Sequence, residues 1–150
     1  MSVVVVGVDR SETSTKALLA AMREAEWRRA SLVVVYVVPR PVVETVAAVS
    51  NSFDLEGFGT EVLADYLAEV EATFTYGFPV PVTSEVLVGH PGYQILEVAR
   101  RYDAELLVLG SRGLGGVKGL LLGSVTTYAV HHIKRPLLVV PGDEDPKASD

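Results

Sequence analysis

Residues 106–124 read LLVLGSRGLGGVKGLLLGS. A short, uninterrupted apolar run opens the stretch, as expected of a strand buried on both faces. From 110 to 124 there are six glycines in fifteen positions, with Arg112 and Lys118 but no acid. Ser124 closes it, and beyond it Val125, Ala129, His132 and Ile133 fall on one helical stripe. Strand, glycine-rich exit and helix start form one α/β unit. The exit is either a flexible surface loop or a cradle for something negatively charged, and the rest of the chain bears on the choice.

Upstream, the same alternation repeats. Residues 3–8 form a β-branched run that ends in Asp9, and Ser11 is placed to cap a helix over 12–29. Ala17, Leu18, Ala21 and Ala25 share one face of that helix, and the small alanines let it lie close to a sheet. Residues 32–38 give a second buried strand, stopped by Pro39. Residues 40–57 show no clear period and are read as a loop. Leu63, Leu67, Val70 and Phe74 recur at helical spacing within 58–74. Residues 80–88 suit a strand with polar interruptions. Pro91 opens a helix to about 102, with Ile95, Ala99 and Tyr102 on one face. The last strand is Leu137, Leu138, Val139 and Val140, between Pro136 and Pro141. Strands alternating with helices predict right-handed crossovers and a parallel sheet covered on both faces. In such sheets ligands bind outside the carboxyl ends of the strands, where strand order reverses. Segments 7–9, 36–39 and 109–113 end strands in this way and are predicted to meet there.

Composition narrows the classes. The chain has 150 residues, 49% of them hydrophobic, which suits one domain with a substantial core. It has no cysteine, which excludes disulfides and thiolate metal sites and favours a reducing compartment. A formal net charge of −6 argues against a general nucleic-acid binder but leaves room for a local anion site. Apolar runs such as 32–38 are far shorter than the ~20 residues of a membrane span. The start MSVVVVGVD lacks the basic n-region of a secretory signal. The expectation is a soluble cytoplasmic protein, with residues 143–150 a disordered acidic tail.

Two familiar phosphate fingerprints are absent. No glycine pair precedes Lys118 in P-loop spacing, and the dinucleotide fingerprint would need a glycine at 118 and a place after the first strand. The physics of a cradle is nevertheless in place. Gly110 and Gly113 bracket the exit from a buried strand, where glycine permits close backbone approach. Gly123 and Ser124 stand where a helix begins, and its unpaired N–H groups and positive dipole end favour an anion.

Gly110, Gly113, Gly123 and Ser124 together spell G-x2-G-x9-G-[ST]. This resembles the nucleotide-binding signature of the universal stress protein family in its ATP-binding branch. VVVVGVDRSETS at 3–14 resembles that family's strand–Asp–Ser start, and SLVVVYVVP at 31–39 its second strand. Residues 86–141 are similar to its whole C-terminal half. The resemblance runs from about 2 to 141 and is weakest over 40–57. It implies a single Rossmann-like α/β domain over 1–142, with a five-stranded parallel sheet in the order 3-2-1-4-5 and helices on both faces. It also implies an ATP, AMP or other adenine-nucleotide site, with or without Mg. Asp9 would contact the adenosine side over a floor of Gly7 and Val8, and Val37 would hydrogen-bond adenine through its backbone. Gly110 would lie against the ribose and first phosphates. Gly113, Gly123, Ser124, Val125 and Thr126 would hold the phosphates, with Arg112 adding positive charge. Arg10, where the family often has a small residue, is read as a solvent-facing side chain. A homodimer through residues 137–140 completes the implied picture.

Other chemistry finds less support in the residues. His131 and His132 lack the i, i+4 spacing of a helical metal pair and, with the following Lys134 and Arg135, suit the negative end of a helix. His90 before Pro91 reads as a loop or cap residue, and Trp27 as packing or helix surface. Ser11, Ser14 and Ser111 have no visible histidine–acid partnership, so no catalytic residue is assigned. Three functions remain open: an ATP-binding regulatory protein, a slow ATPase or phosphate-transfer enzyme, and a dimeric interaction module with a vestigial pocket. The intact glycine set disfavours the last, and the lack of a placed base and clamp disfavours the second.

Overall fold

The computed structural model describes residues 1–50, 52–113 and 122–142, the side chains of residues 40 and 41 excepted. Gly115, Gly116, Lys118 and Gly119 of the glycine-rich stretch, and the acidic tail, lie outside the described residues. The elements run β1 (Val3–Val8), α1 (Glu12–Arg28), β2 (Ser31–Val38), α2 (Arg40–Val49), α3 (Leu55–Glu71), β3 (Val82–Val88), α4 (Pro91–Arg101), β4 (Leu106–Gly110), α5 (Ser124–His132) and β5 (Leu137–Val140).

The five strands form one sheet in the order β3-β2-β1-β4-β5, every pair parallel, as expected. Chain order runs outward from β1 to β2 and β3, then returns to the other side of β1 for β4 and β5. The reversal places the carboxyl ends of β1 and β4 side by side, where an open α/β sheet holds its ligands.

The alternation of the strands divides the core in two. Val4, Val6 and Val8 of β1 and Leu32, Val34, Tyr36 and Val38 of β2 pack with α1 and α3. Val5 of β1 and Val33, Val35 and Val37 of β2 pack with Ile95, Val98 and Ala99 of α4 and Ala129 of α5. Both faces of the central strands are thus dry, which is why they read as nearly continuous apolar runs rich in valine. Gly7 continues the α4 face, where a Cβ would come within 2.8 Å of both Ile95 Cδ1 and Leu109 Cδ2. Its missing side chain is the space into which α4 packs.

One segment differs from the sequence expectation. The loop assigned to 40–57 contains α2 and the first turn of α3. Val42, Val43 and Val46 are the half-buried positions of α2, and Val42 and Val43 rest on the α1/α3 core. That stripe has helical spacing, but its β-branched residues carry weak helix propensity and conceal it. Helix ends otherwise follow local chemistry. Ser11 caps α1 by accepting from Ser14 N at 3.1 Å, and Asp54 caps α3 by accepting from Gly57 N at 2.9 Å. His90 is the cap of α4, its Nδ1 accepting from Tyr93 N at 3.1 Å. His131 and His132 each place Nδ1 2.8 Å from the carbonyl four residues earlier, so they close the end of α5.

Candidate functional site: the cradle at the carboxyl ends of β1 and β4

The β1–α1 turn supplies the first wall. Arg10 adopts a left-handed backbone at φ 68°, which folds the chain back sharply after Asp9. The turn is held from both sides. Asp9 Oδ1 accepts from Ser11 N at 2.9 Å, and Asp9 N donates to Ser14 Oγ at 3.2 Å. Ser14 is only 4% exposed and passes its own hydroxyl hydrogen to Ser11 O at 3.1 Å. The Asp9 carboxylate therefore has a fixed direction, set by the hydroxyl-rich start of α1.

The second wall comes from β4 and α5. Ser111 N donates to Val140 O at 2.8 Å and Ser111 O accepts from Gly123 N at 2.6 Å, so residue 111 ties together β5, the exit of β4 and the entry of α5. Thr126, 2% exposed, donates its hydroxyl to Gly110 O at 2.7 Å and braces the same junction from inside α5. That hydrogen is committed to the protein's own backbone. Gly123 is the cap residue of α5 and has no side chain with which to cap it. Thr127 N bonds to Gly123 O at 2.9 Å, the first bond of the helical ladder. The N–H groups of Ser124, Val125 and Thr126, in the turn before it, have no carbonyl to meet within the helix. A helix start of this kind, with its dipole, favours an anion.

The two walls touch at Gly113. A Cβ there would overlap Asp9 Oδ2. A Cβ on Gly123 would lie 3.3 Å from Arg112 Cα and 3.5 Å from Gly113 N. Gly123 has an ordinary extended backbone, φ −75° and ψ 173°, so its glycine answers a need for space between the jaws and not for unusual dihedrals. Gly110 is backed by Thr13, whose Cγ2 would be 2.8 Å from a Cβ at that position. The Arg112 guanidinium lies toward the chain leaving β5, with Nη2 3.5 Å from where a Cβ on Gly142 would stand.

Val37 sits on the third side. Ser31 N reaches Ser2 O and Leu32 N reaches Pro81 O, so odd-numbered residues of β2 face β1 and even-numbered ones face β3. The paired register of β1 with β2 ends at Val8 and Tyr36. Val37 thus turns its peptide groups toward β1 just where β1 leaves the sheet, while its side chain is buried against α4.

Asp9, Gly110, Gly113, Gly123 and the first turn of α5 are therefore gathered at one place, with Val37 beside it. Gly7 and Val8 underlie it from within the sheet, and both belong to the core: Gly7 against Ile95, Val8 against the α1/α3 layer. The motif did not mark Thr13 or Ser14, nor the internal role of the Thr126 hydroxyl. A run of hydroxyls after a strand-ending acid, SETST at 11–15, is the signal for the first two. A separate cleft of about 620 Å³ lies between α1 and α3 and is lined by Arg10, Thr15, Tyr66, Asp65 and Glu69 among others. Arg10 is exposed and borders this cleft.

A doubly wound parallel sheet, with a helix start at its switch point whose cap residue is a glycine, defines the class: an open α/β fold. Within that class the chain belongs to the universal stress protein family, whose pattern matches residues 1–141. It is 31% identical over 150 residues to universal stress protein Sll1388 of Synechocystis, covering 91% of this chain and 96% of that one. Among solved structures, a universal stress protein in complex with cAMP superposes with a TM-score of 0.69 at 26% identity, covering 93% of this chain and 96% of that chain. The universal stress protein of Archaeoglobus fulgidus in complex with dAMP superposes with a TM-score of 0.64 at 19% identity, covering 93% and 98%.

Proposed function

We propose that this protein is an adenine-nucleotide-binding regulatory module, with ATP the favoured ligand, and that it acts as a cytoplasmic homodimer in stress responses. The observation that carries the reading is the glycine-capped start of α5, set against Gly113 and the oriented Asp9 carboxylate. An anion lodged there takes up the first-turn N–H groups of Ser124, Val125 and Thr126. Gly113 and Gly123 let the phosphates approach the backbone, and Gly110 faces the ribose side. Asp9, an acceptor, suits ribose hydroxyls or a Mg ion held by the phosphates. Val37 offers adenine its backbone on the β1 side. The cAMP complex of the relative at 26% identity supports an adenine nucleotide. Hydrolysis is secondary in this reading, because Asp9 is already engaged by Ser11 and no oriented base is assigned. Titration calorimetry with ATP should give saturable binding, and Gly123→Val should weaken it more than about tenfold by filling the space between the jaws. Equal affinity in both proteins contradicts the cradle.

The dimer would form through β5, which pairs with β4 on one side and is a sheet edge on the other. Its residues are half-buried, and Trp27 of α1, 78% exposed, stands beside it in a groove shared with Leu138, Val139 and Val140. An apolar edge strand bordered by an exposed tryptophan favours pairing with a second copy. Val139→Lys should shift the protein from dimer to monomer in sedimentation velocity, since the pairing would bury an unmatched charge. A dimer that persists places the interface elsewhere.

A further inference from the structure

Two residues that line the α1–α3 cleft, Thr15 and Tyr66, place their hydroxyl oxygens Oγ1 and Oη 2.7 Å apart. Direction can be assigned by elimination. Thr15 has one hydroxyl hydrogen, and it points to Ser11 O at 3.2 Å. The hydrogen between the two side chains therefore belongs to Tyr66, which donates to Thr15. Burial pushes the Tyr66 phenol above its ordinary range, and the Asp9 carboxylate adds a smaller push upward. It is a donor throughout the physiological range.

The chain of donors is thus Tyr66 to Thr15 to the Ser11 carbonyl. That carbonyl also receives Ser14 Oγ and Thr15 N, at 3.1 and 3.0 Å. The N–H of the same Ser11 holds Asp9 Oδ1. Tyr66 and Thr15 donate in series and strengthen one another. The carbonyl and the N–H of Ser11 flank one Cα, so fixing the carbonyl fixes the direction of the N–H that holds Asp9. Tyr66 is 8% exposed, so its ring is already fixed in the core and its hydroxyl adds aim, not bulk.

We infer that Tyr66 is a positioning residue for the nucleotide site: from α3 it holds the Asp9–Ser11 turn in its binding geometry through Thr15. The inference rests on the adenine-nucleotide reading given above. Its consequence is that α3, which contributes nothing to the motif, sets the affinity of the cradle.

Tyr66→Phe keeps the ring and removes the donor. Thr15→Val removes the relay, and Thr15→Ser restores it. Two readouts are taken on folded protein: exchange of the Ser11 amide in the nucleotide-free state by NMR, and the Kd for ATP by calorimetry. Tyr66→Phe and Thr15→Val should each speed Ser11 exchange and raise the Kd about two- to tenfold, the worth of one net hydrogen bond. Combining Tyr66→Phe with Thr15→Val should be no worse than either alone, and Thr15→Ser should match the wild type. A purely structural role would lower the melting temperature and leave the Kd alone. Unchanged Ser11 exchange in Tyr66→Phe overturns the clamp whatever the nucleotide does. Faster exchange with an unchanged Kd overturns its link to binding. A wild type that binds no ATP, AMP or cAMP instead overturns the nucleotide reading, and with it the link.

Discussion

Gly113→Ala should weaken adenine-nucleotide binding more than about tenfold while the protein stays folded. The added methyl would overlap Asp9 Oδ2, which cannot swing away without giving up Ser11 N. Either the carboxylate leaves its position or the exit of β4 moves, and both disturb the jaw that faces α5. The residue is exposed, so the substitution removes no core packing. Calorimetry with ATP checks the affinity, and circular dichroism checks the fold. Wild-type affinity in Gly113→Ala would mean that the contact between the two walls has no part in binding.

Leu107→Ala should carry the largest cost in stability, about 2–5 kcal/mol. Leu107 is fully buried at the centre of β4, paired in register with Val5 and Leu137 and packed in the α4/α5 layer. Its neighbours are strands on both sides, so the sheet cannot collapse to fill the void. For a chain of this size the melting temperature should fall by roughly 4–20 °C. Leu19→Ala, at a site 38% exposed, is the contrast and should change stability by less than about 1 kcal/mol. Similar losses in the two variants would contradict the assignment of the core. Because β4 also ends at Gly110, Leu107→Ala tests how far the cradle depends on the rigidity of the strand below it.

Much of the fold is legible in residues taken a few at a time. Strands β1 and β2 lie between two helix layers, so both faces are apolar and their sequences are nearly unbroken valine. Edge strand β3 reads less cleanly because Thr83 and Ser84 face solvent. Helix α2 stays hidden because its stabilising contacts are tertiary, through Val42 and Val43, while its local propensity is weak. The site divides the same way. Gly110, Gly113, Gly123 and Ser124 are visible as a spaced set. The reason for Gly113 is not, because the atom it must avoid belongs to Asp9, at the far end of the chain. Thr126 looks like a phosphate ligand by position, yet its hydroxyl is spent on Gly110 O. Tyr66 carries no local mark at all, since its partner Thr15 meets it only once α1 and α3 lie on the same face of the sheet.

The most direct measurement follows backbone amides by NMR while ATP is added to the isotope-labelled protein. The account predicts saturable shifts concentrated at Asp9, Gly110, Gly113, Ser124, Val125 and Thr126, with smaller ones at Val37. Shifts absent at every concentration, or confined to the α1–α3 cleft and the β5 edge, would contradict a nucleotide cradle at the carboxyl ends of β1 and β4.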